Sequence, residues 1–402
     1  MAASAPRQQS QALHERVRKL IARAMEPAEQ GAQPAMPTDG RALGSEPLQA
    51  ELDALGLDLA RFQARHVPAV AQLFAARGLD AATLVNSEQI PALHCDVFRL
   101  RRVAAHPAAD DERCFRTSGT TQGAQARGEH ALRTTATYAA AALAWAERML
   151  WPDGAHLGLI GLVASETVSP QSSLSFMLAR FAERLGGGAS WHFDGRELDL
   201  AGAHAACAAA RDKGEAQLVA GTAFAFVELR DRFGPGVLEL PAASRVMLTG
   251  GFKGRSREVR AEALRTAMAG CFGLAESHIV GEYGMTELSS QLYEGTLAGA
   301  LGRGLAAAKA GCYLAPPWVR VSALDPVTLV RTPLGQAGVA RILDLANVDS
   351  AVAVLTADLV REQADGSIEL LGRAPGAAAR GCSLSIEEAL QSDAEGDVTA
   401  KG

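Results

Sequence analysis

Four short apolar runs limit what this chain can fold into: HLGLIGLVA (156–164), AQLVAGTA (216–223), SRVMLTGG (244–251) and SHIVGEYG (277–284). Each is of strand length and ends in Gly, Thr or Ser, the pattern of buried parallel strands that feed loops. Ala-rich segments with helical character, such as 131–150 and 258–270, alternate with them. The order is that of an α/β fold, in which ligands sit at the carboxyl ends of the strands. Further on, WVRVSAL (318–324), VARILDL (339–345), AVAVLTADLVRE (351–362) and SIELLGR (367–373) contain little helix and predict an antiparallel or barrel-like element.

At the other end, Leu13, Val17, Leu20, Ile21 and Met25 recur near helical spacing, which predicts an amphipathic helix over 9–25. Residues 26–47 carry four prolines and three glycines and read as a link. The expected organisation is a helix and linker over 1–47, an α/β body over 48–340 and a short β-rich segment over 341–402 that carries Cys382.

The 402 residues hold 45 acidic and 39 basic side chains, a net charge of -6, which argues against a nucleic-acid partner. The first twenty residues lack the apolar stretch of a secretory signal, and no window is long and apolar enough for a membrane span, so a cytoplasmic protein is expected. Cys95, Cys114, Cys207, Cys271, Cys312 and Cys382 form no C-x-x-C pair, so most are expected to be reduced core thiols. The histidines show no metal spacing; His94 and His278 read as structural.

Three loops carry chemistry: TSGTT (117–121), TGGFKG (249–254) and GEYGMTELSSQ (281–291). In the first, Gly119 lets the backbone approach an anion, and Thr117, Ser118, Thr120 and Thr121 add hydroxyl donors. Taken alone, a Ser/Thr-rich turn accounts for it as well, and it lacks the Gly-Lys-Ser/Thr ending of a P-loop. The second and third loops shift the balance, because each follows a strand-like run and opens at the same sheet edge. Gly250 and Gly251 lie in the second, and Glu282, Gly284 and Met285 accompany the third. There Tyr283 can stack on a base, Thr286 can donate to a phosphate, and Glu287 can hold Mg2+ bridging phosphate oxygens.

These motifs, with IPALHCDVFRL (90–100), GTAFAFVEL (221–229), LTGGFKGRSRE (248–258) and LGRAPGAAARGCSLS (371–385), resemble the adenylate-forming superfamily of acyl-CoA synthetases, luciferases and adenylation domains. Within it the chain is most similar to the acyl-protein synthetase (LuxE-like) branch. The resemblance implies an α/β body of helix-flanked sheets with a small barrel-like element and a truncated C-terminal domain. It implies ATP and Mg2+, a carboxylic acid, a fatty acid first of all, activated to an acyl-adenylate, and delivery through a cysteine to a partner such as an acyl reductase. It makes Asp358, in LTADLVRE, an acceptor for the ribose hydroxyls, although a turn Asp is about as common there, and it puts Arg373 near ribose or phosphate.

The sequence also departs from the family pattern. A Gly-x-Pro-Lys-Gly usually follows TSGTT in larger members; Gln122 and Arg127 stand here, so triphosphate binding would rest on Arg127. After Arg373 only 29 residues remain, too few for the mobile lid whose lysine serves adenylation in the resembled enzymes, so Lys253 or a partner chain would supply that cation. Cys382 sits in AARGCSLS with Arg380 nearby to favour a thiolate. An inert tail cysteine fits those residues equally, and the resemblance makes Cys382 the acyl acceptor. Two alternatives stay open: adenylation of an aromatic carboxylate in phenazine-type antibiotic biosynthesis, and a catalytically dead scaffold subunit of a reductase complex.

Overall fold

The structure, a computed structural model, describes residues 5–26, 46–117, 127–250, 261–303 and 309–373. Its strands, in chain order, are β1 (Leu93–His94), β2 (Arg113–Arg116), β3 (Glu129–Leu132), β4 (Leu157–Leu162), β5 (Gly186–Trp191), β6 (Gln217–Thr222) and β7 (Arg245–Thr249). They continue as β8 (Ile279–Tyr283), β9 (Leu292–Glu294), β10 (Cys312–Leu314), β11 (Val319–Leu324), β12 (Ala337–Asp344), β13 (Ala353–Glu362) and β14 (Ile368–Arg373).

Twelve of them form one sheet in the order β11-β12-β13-β14-β10-β9-β8-β7-β6-β4-β5, with β1 on β13. The four runs singled out above are β4, β6, β7 and β8, and they pair in parallel in that order. The reason is visible in β4, LGLIGL, which is buried along its whole length and so has no polar face to offer water. Helices cover the sheet, and their ends follow capping rules. Ser172 accepts the Ser175 amide at 3.1 Å to start the helix Ser173–Leu185, and Thr222 accepts the Ala225 amide at 3.3 Å where β6 turns into the helix Ala223–Arg232.

The antiparallel element expected near the C-terminal end is β11 to β14, and hydrogen bonding through β14 and β10 makes it one half of the same sheet. The boundary drawn at 340 falls inside β12, and that at 47 falls inside the helix Glu46–His66. A second, two-stranded sheet pairs β2 with β3, and the TSGTT segment lies between those two strands.

The N-terminal helix runs Ala5–Ala24, four residues earlier at its start than the periodicity places it. Leu13, Val17, Leu20 and Ile21 are buried as their spacing requires, and they join the main core. Polar groups pin the same helix. Ser10 and His14 both reach Asp349, His14 Nε2 at 2.8 Å, and Arg133 Nε stands 3.2 Å from that carboxylate. Among the described residues no helix is long and apolar enough to cross a membrane.

Candidate functional site

Parallel register brings the starts of the second and third motif segments side by side. Thr249, the last residue of β7, pairs with Glu282 on β8, so Gly250 and Tyr283 leave adjacent strand ends. Gly250 is exposed with φ +74°, a backbone that glycine adopts without strain. Gly251 and Lys253 lie outside the described residues.

Tyr283 is the hinge of the site. Its hydroxyl donates to Asp358 Oδ2 at 2.8 Å and lies 3.4 Å from the Met285 sulfur, while its ring meets Tyr313 edge-on. Asp358 and Arg373 are register partners on β13 and β14, and Arg373 Nε stands 3.5 Å from Asp358 Oδ1. An aromatic ring, a carboxylate and an exposed guanidinium from three separate strands thus converge.

The TSGTT segment is anchored at its neck. The Thr117 amide donates to the Gly128 carbonyl at 3.0 Å, and the Gly128 amide donates to Thr117 Oγ1 at 2.9 Å. Ser118, Gly119, Thr120 and Thr121 lie outside the described residues, and Arg127 is exposed. Glu287 closes on this neck: a Cβ built on Gly128 would lie 3.2 Å from the Thr117 methyl and 3.5 Å from Glu287 Oε1. Glu287 is 8% exposed, so the carboxylate is sheltered rather than solvated.

Residues that the motifs did not flag hold this loop from behind. His130, on β3, is fully buried, and its Nδ1 is bonded to the Thr286 carbonyl at 2.8 Å; burial pulls its pKa down to about 4, so the ring is neutral. Asn347 Nδ2 donates to the Glu287 carbonyl at 2.9 Å. Asp344, fully buried at the end of β12, accepts the Ser289 amide at 2.9 Å and the Ser290 hydroxyl at 2.8 Å. Burial raises the pKa of Asp344. The polar residues in LDLANVDS (343–350) were the available signal, since Asp344, Asn347, Asp349 and Ser350 in an otherwise apolar run need buried partners.

Glu282 takes a different direction from its neighbour. Its carboxylate accepts the Thr249 hydroxyl inside the sheet and is 4% exposed. A Cβ on Gly284 would lie 2.5 Å from Glu282 Oε1, so a larger residue there would require the Glu282 carboxyl to shift. Burial pushes the Glu282 carboxyl up to about 7, with the Thr249 hydrogen bond opposing. The strand alternation that points Tyr283 at Asp358 sends Glu282 to the other face.

The cysteines sort themselves by environment. Cys95, Cys114, Cys207, Cys271 and Cys312 are free thiols, and burial pushes every one of them up, Cys95 to about 12. After burial, Glu287 is the next cause for Cys95, followed by Asp96 and Asp358, which puts this thiol next to the site. Among the described residues His94, Cys95 and Asp96 bring potential metal ligands within 4.8 Å of one another, a cluster not expected from the sequence. His94 Nδ1 is taken by the Asp96 amide at 3.2 Å. Cys382 lies outside the described residues.

No family model matches the chain. Over 87 residues it is 33% identical to a long-chain-fatty-acid–luciferin-component ligase of Vibrio harveyi, a stretch that covers 20% of this chain and 23% of that relative. Among solved structures it is similar to a 2-hydroxyisobutyryl-CoA ligase in an open conformation with 2-HIB-AMP and CoA. The identity is 17%, the coverage 87% of this chain and 81% of that one, and the TM-score 0.58. The same ligase in its postadenylation state, with 2-HIB-AMP, gives 15% identity, coverage of 87% and 73%, and a TM-score of 0.60. At these identities the likenesses show the fold alone: the chain has the fold of this CoA ligase.

Proposed function

We propose that this chain activates a carboxylic acid with ATP to an acyl-adenylate and pyrophosphate, then passes the acyl group to a thiol. The observation that carries the reading is the meeting of Tyr283, Asp358 and Arg373 beside the pinned neck where Glu287 faces Gly128. On this proposal that arrangement supplies a stacking face, a ribose acceptor and a phosphate end.

In this reading Tyr283 holds the base, and Asp358, oriented by the Tyr283 hydroxyl, accepts the ribose hydroxyls. Thr117 and Thr286, with Ser118, Thr120 and Thr121, donate to phosphate oxygens. Glu287 suits Mg2+, since that ion is usually held by one or two carboxylates with phosphate oxygens and water completing its shell. When bound it would offset charge on the phosphate oxygens. The acid carboxylate attacks the α-phosphorus and the bond to pyrophosphate breaks; Arg127 and Lys253 supply cationic stabilisation of the charge that develops. The thiol then loses its proton to solvent, the thiolate sulfur attacks the acyl carbonyl, and AMP leaves with the electron pair of the broken C–O bond.

A fatty acid is the proposed substrate because the curated relative is a long-chain-fatty-acid ligase. Cys382 is the proposed acceptor because the five described thiols are all held protonated by burial and are weak nucleophiles. An acyl reductase is the proposed recipient of the thioester.

The test is pyrophosphate release and hydroxamate formation over a panel of fatty and aryl acids, with Cys382→Ser beside the wild type. Fatty-acid-dependent release is expected, together with loss of hydroxylamine-labile label on the Cys382→Ser protein. Release driven only by aryl acids would overturn the substrate, and a retained thioester label would overturn the acceptor. The absence of any acid-dependent release would overturn the activity itself.

A further inference from the structure

A cavity of about 340 Å³ lies against the β11–β12–β13 half of the sheet, and none of the nucleotide cluster lines it. Its floor follows from register. Ser322 on β11, Arg341 on β12 and Leu355 on β13 are consecutive pairing partners, so their side chains share one face, and all three line the space. The neighbouring set, Val321, Ile342 and Val354, points into the main core instead. The stretch Glu88–Ala92 and Leu79 form the opposite wall.

Arg341 is the unusual member. It is 7% exposed, and Nη2 donates to the Ser87 and Ile90 carbonyls at 2.9 Å each. Among the described residues no carboxylate is within ion-pair distance of it. The nearby charges do not cancel it: Glu88 attracts, while Arg320 and Arg331 repel. Arg331 is itself engaged, paired to the buried Glu362, and Arg320 is paired to Asp53. Burial draws the Arg341 pKa down to about 10, which leaves the guanidinium charged at neutral pH. A buried charge without a counter-ion costs several kcal/mol, and a bound anion would offset that cost. Arg77, Arg331 and Glu88 also line the space, Arg331 and Glu88 paired to each other at 3.6 Å, and the apolar part of the wall is Leu79, Ile90, Pro91, Leu324, Leu329 and Leu355. The volume is that of a small-molecule site.

We propose that this cavity is a second ligand site, which takes a small amphipathic carboxylate with its head on Arg341 and its tail against Leu324, Leu329 and Leu355. A carboxylate matches the fork of a guanidinium through two parallel hydrogen bonds, which an alcohol cannot. The proposal stands apart from the adenylation reading, because it concerns binding without ATP.

The experiment is titration calorimetry of the full chain, free of ATP and Mg2+, with decanoate, decyl phosphate, decanol and acetate, repeated on Arg341→Met and Leu79→Glu. Leu79 is 40% exposed at the mouth, so its replacement blocks entry with the fold intact even where the buried substitution fails to fold. Decanoate is expected to saturate a site that either variant weakens at least about tenfold, the worth of a charged hydrogen bond. Acetate and decanol are expected to bind weakly, each lacking one half of the recognition. In both variants adenylation, where the wild type shows it, should proceed at the wild-type rate. No saturable decanoate binding, or binding and stoichiometry unchanged in both variants, overturns the proposal. Decyl phosphate binding tighter than decanoate overturns the choice of carboxylate. Loss of adenylation together with binding overturns the separation of the two sites.

Discussion

The Tyr283 hydroxyl donates to Asp358 Oδ2 at 2.8 Å and so ties together two motifs that stand 75 residues apart in the chain. Arg373 reaches the other oxygen of the same carboxylate at 3.5 Å, so Asp358 is held from both sides. Asp358→Asn is therefore expected to raise the KM for ATP about 10- to 100-fold, the cost of weakening hydrogen bonds to a charged acceptor. Tyr283→Phe keeps the ring and removes only the hydroxyl, and its effect should stay below about tenfold. ATP–pyrophosphate exchange over a range of ATP concentrations measures both. An unchanged KM in Asp358→Asn removes that residue from the nucleotide site.

Glu287 is buried at the neck of the TSGTT segment, not solvated as a surface ligand would be. Glu287→Gln keeps the shape and loses the charge, so exchange should fall by at least about 100-fold while the fold persists, because the amide still fills the sheltered space. Exchange and thermal melting are read on the same preparation. Exchange at the wild-type rate refutes the metal assignment.

Glu282 gives the stability a pH dependence of known sign. Its folded pKa of about 7 lies above the unfolded value near 4.5, so the folded protein keeps a proton that the unfolded chain releases. That contribution is fully present below about pH 4.5 and is lost as pH rises towards 7, for a total on the order of 3 kcal/mol. Denaturant midpoints of wild type and Glu282→Gln between pH 4.5 and 8 are expected to diverge, the variant becoming relatively more stable as pH rises. Parallel curves would mean that the carboxyl titrates normally.

Asp349 collects Ser10 and His14 from the first helix and Arg133 from the strand side. Burial alone would raise its pKa, and His14, Ser10 and Arg133 outweigh it, so the carboxyl titrates below its ordinary range. Asp349→Ala leaves two partners with no acceptor in a buried place, and a loss of about 3–5 kcal/mol is expected. Ser10→Ala removes the bond to Asp349 and the two that Ser10 Oγ accepts from Arg133, at 3.1 and 2.9 Å, but leaves the His14–Asp349 and Arg133–Asp349 contacts, and should cost about 1–2 kcal/mol. Urea unfolding gives both values; a cost for Asp349→Ala no larger than that for Ser10→Ala would show that the helix is held by its apolar face alone.

The parallel half of the sheet was legible because a strand buried on both faces must be apolar throughout, and β4, β6, β7 and β8 each announce that in a handful of residues. The first helix was legible for a similar reason, as one apolar stripe at 3.6-residue spacing. Short or atypical strands were not. β5 is GGGASW, which carries no apolar pattern, and β9 and β10 are three residues each, too short to show a period.

Local chemistry in the sequence thus determined the strand and helix faces, the order of the motif loops and the residue types able to meet a nucleotide. Only the tertiary structure decided who meets whom. Glu282 and Tyr283 are adjacent in sequence, yet pleating sends one to Thr249 inside the sheet and the other to Asp358 on β13. Arg341 reads in the sequence as one more charge in a strand, and it becomes a buried cation facing a cavity only when β11, β12 and β13 are set in register. Periodicity is a property of neighbours along the chain, whereas these pairings depend on strand order and on what is left to satisfy each polar group once water is excluded.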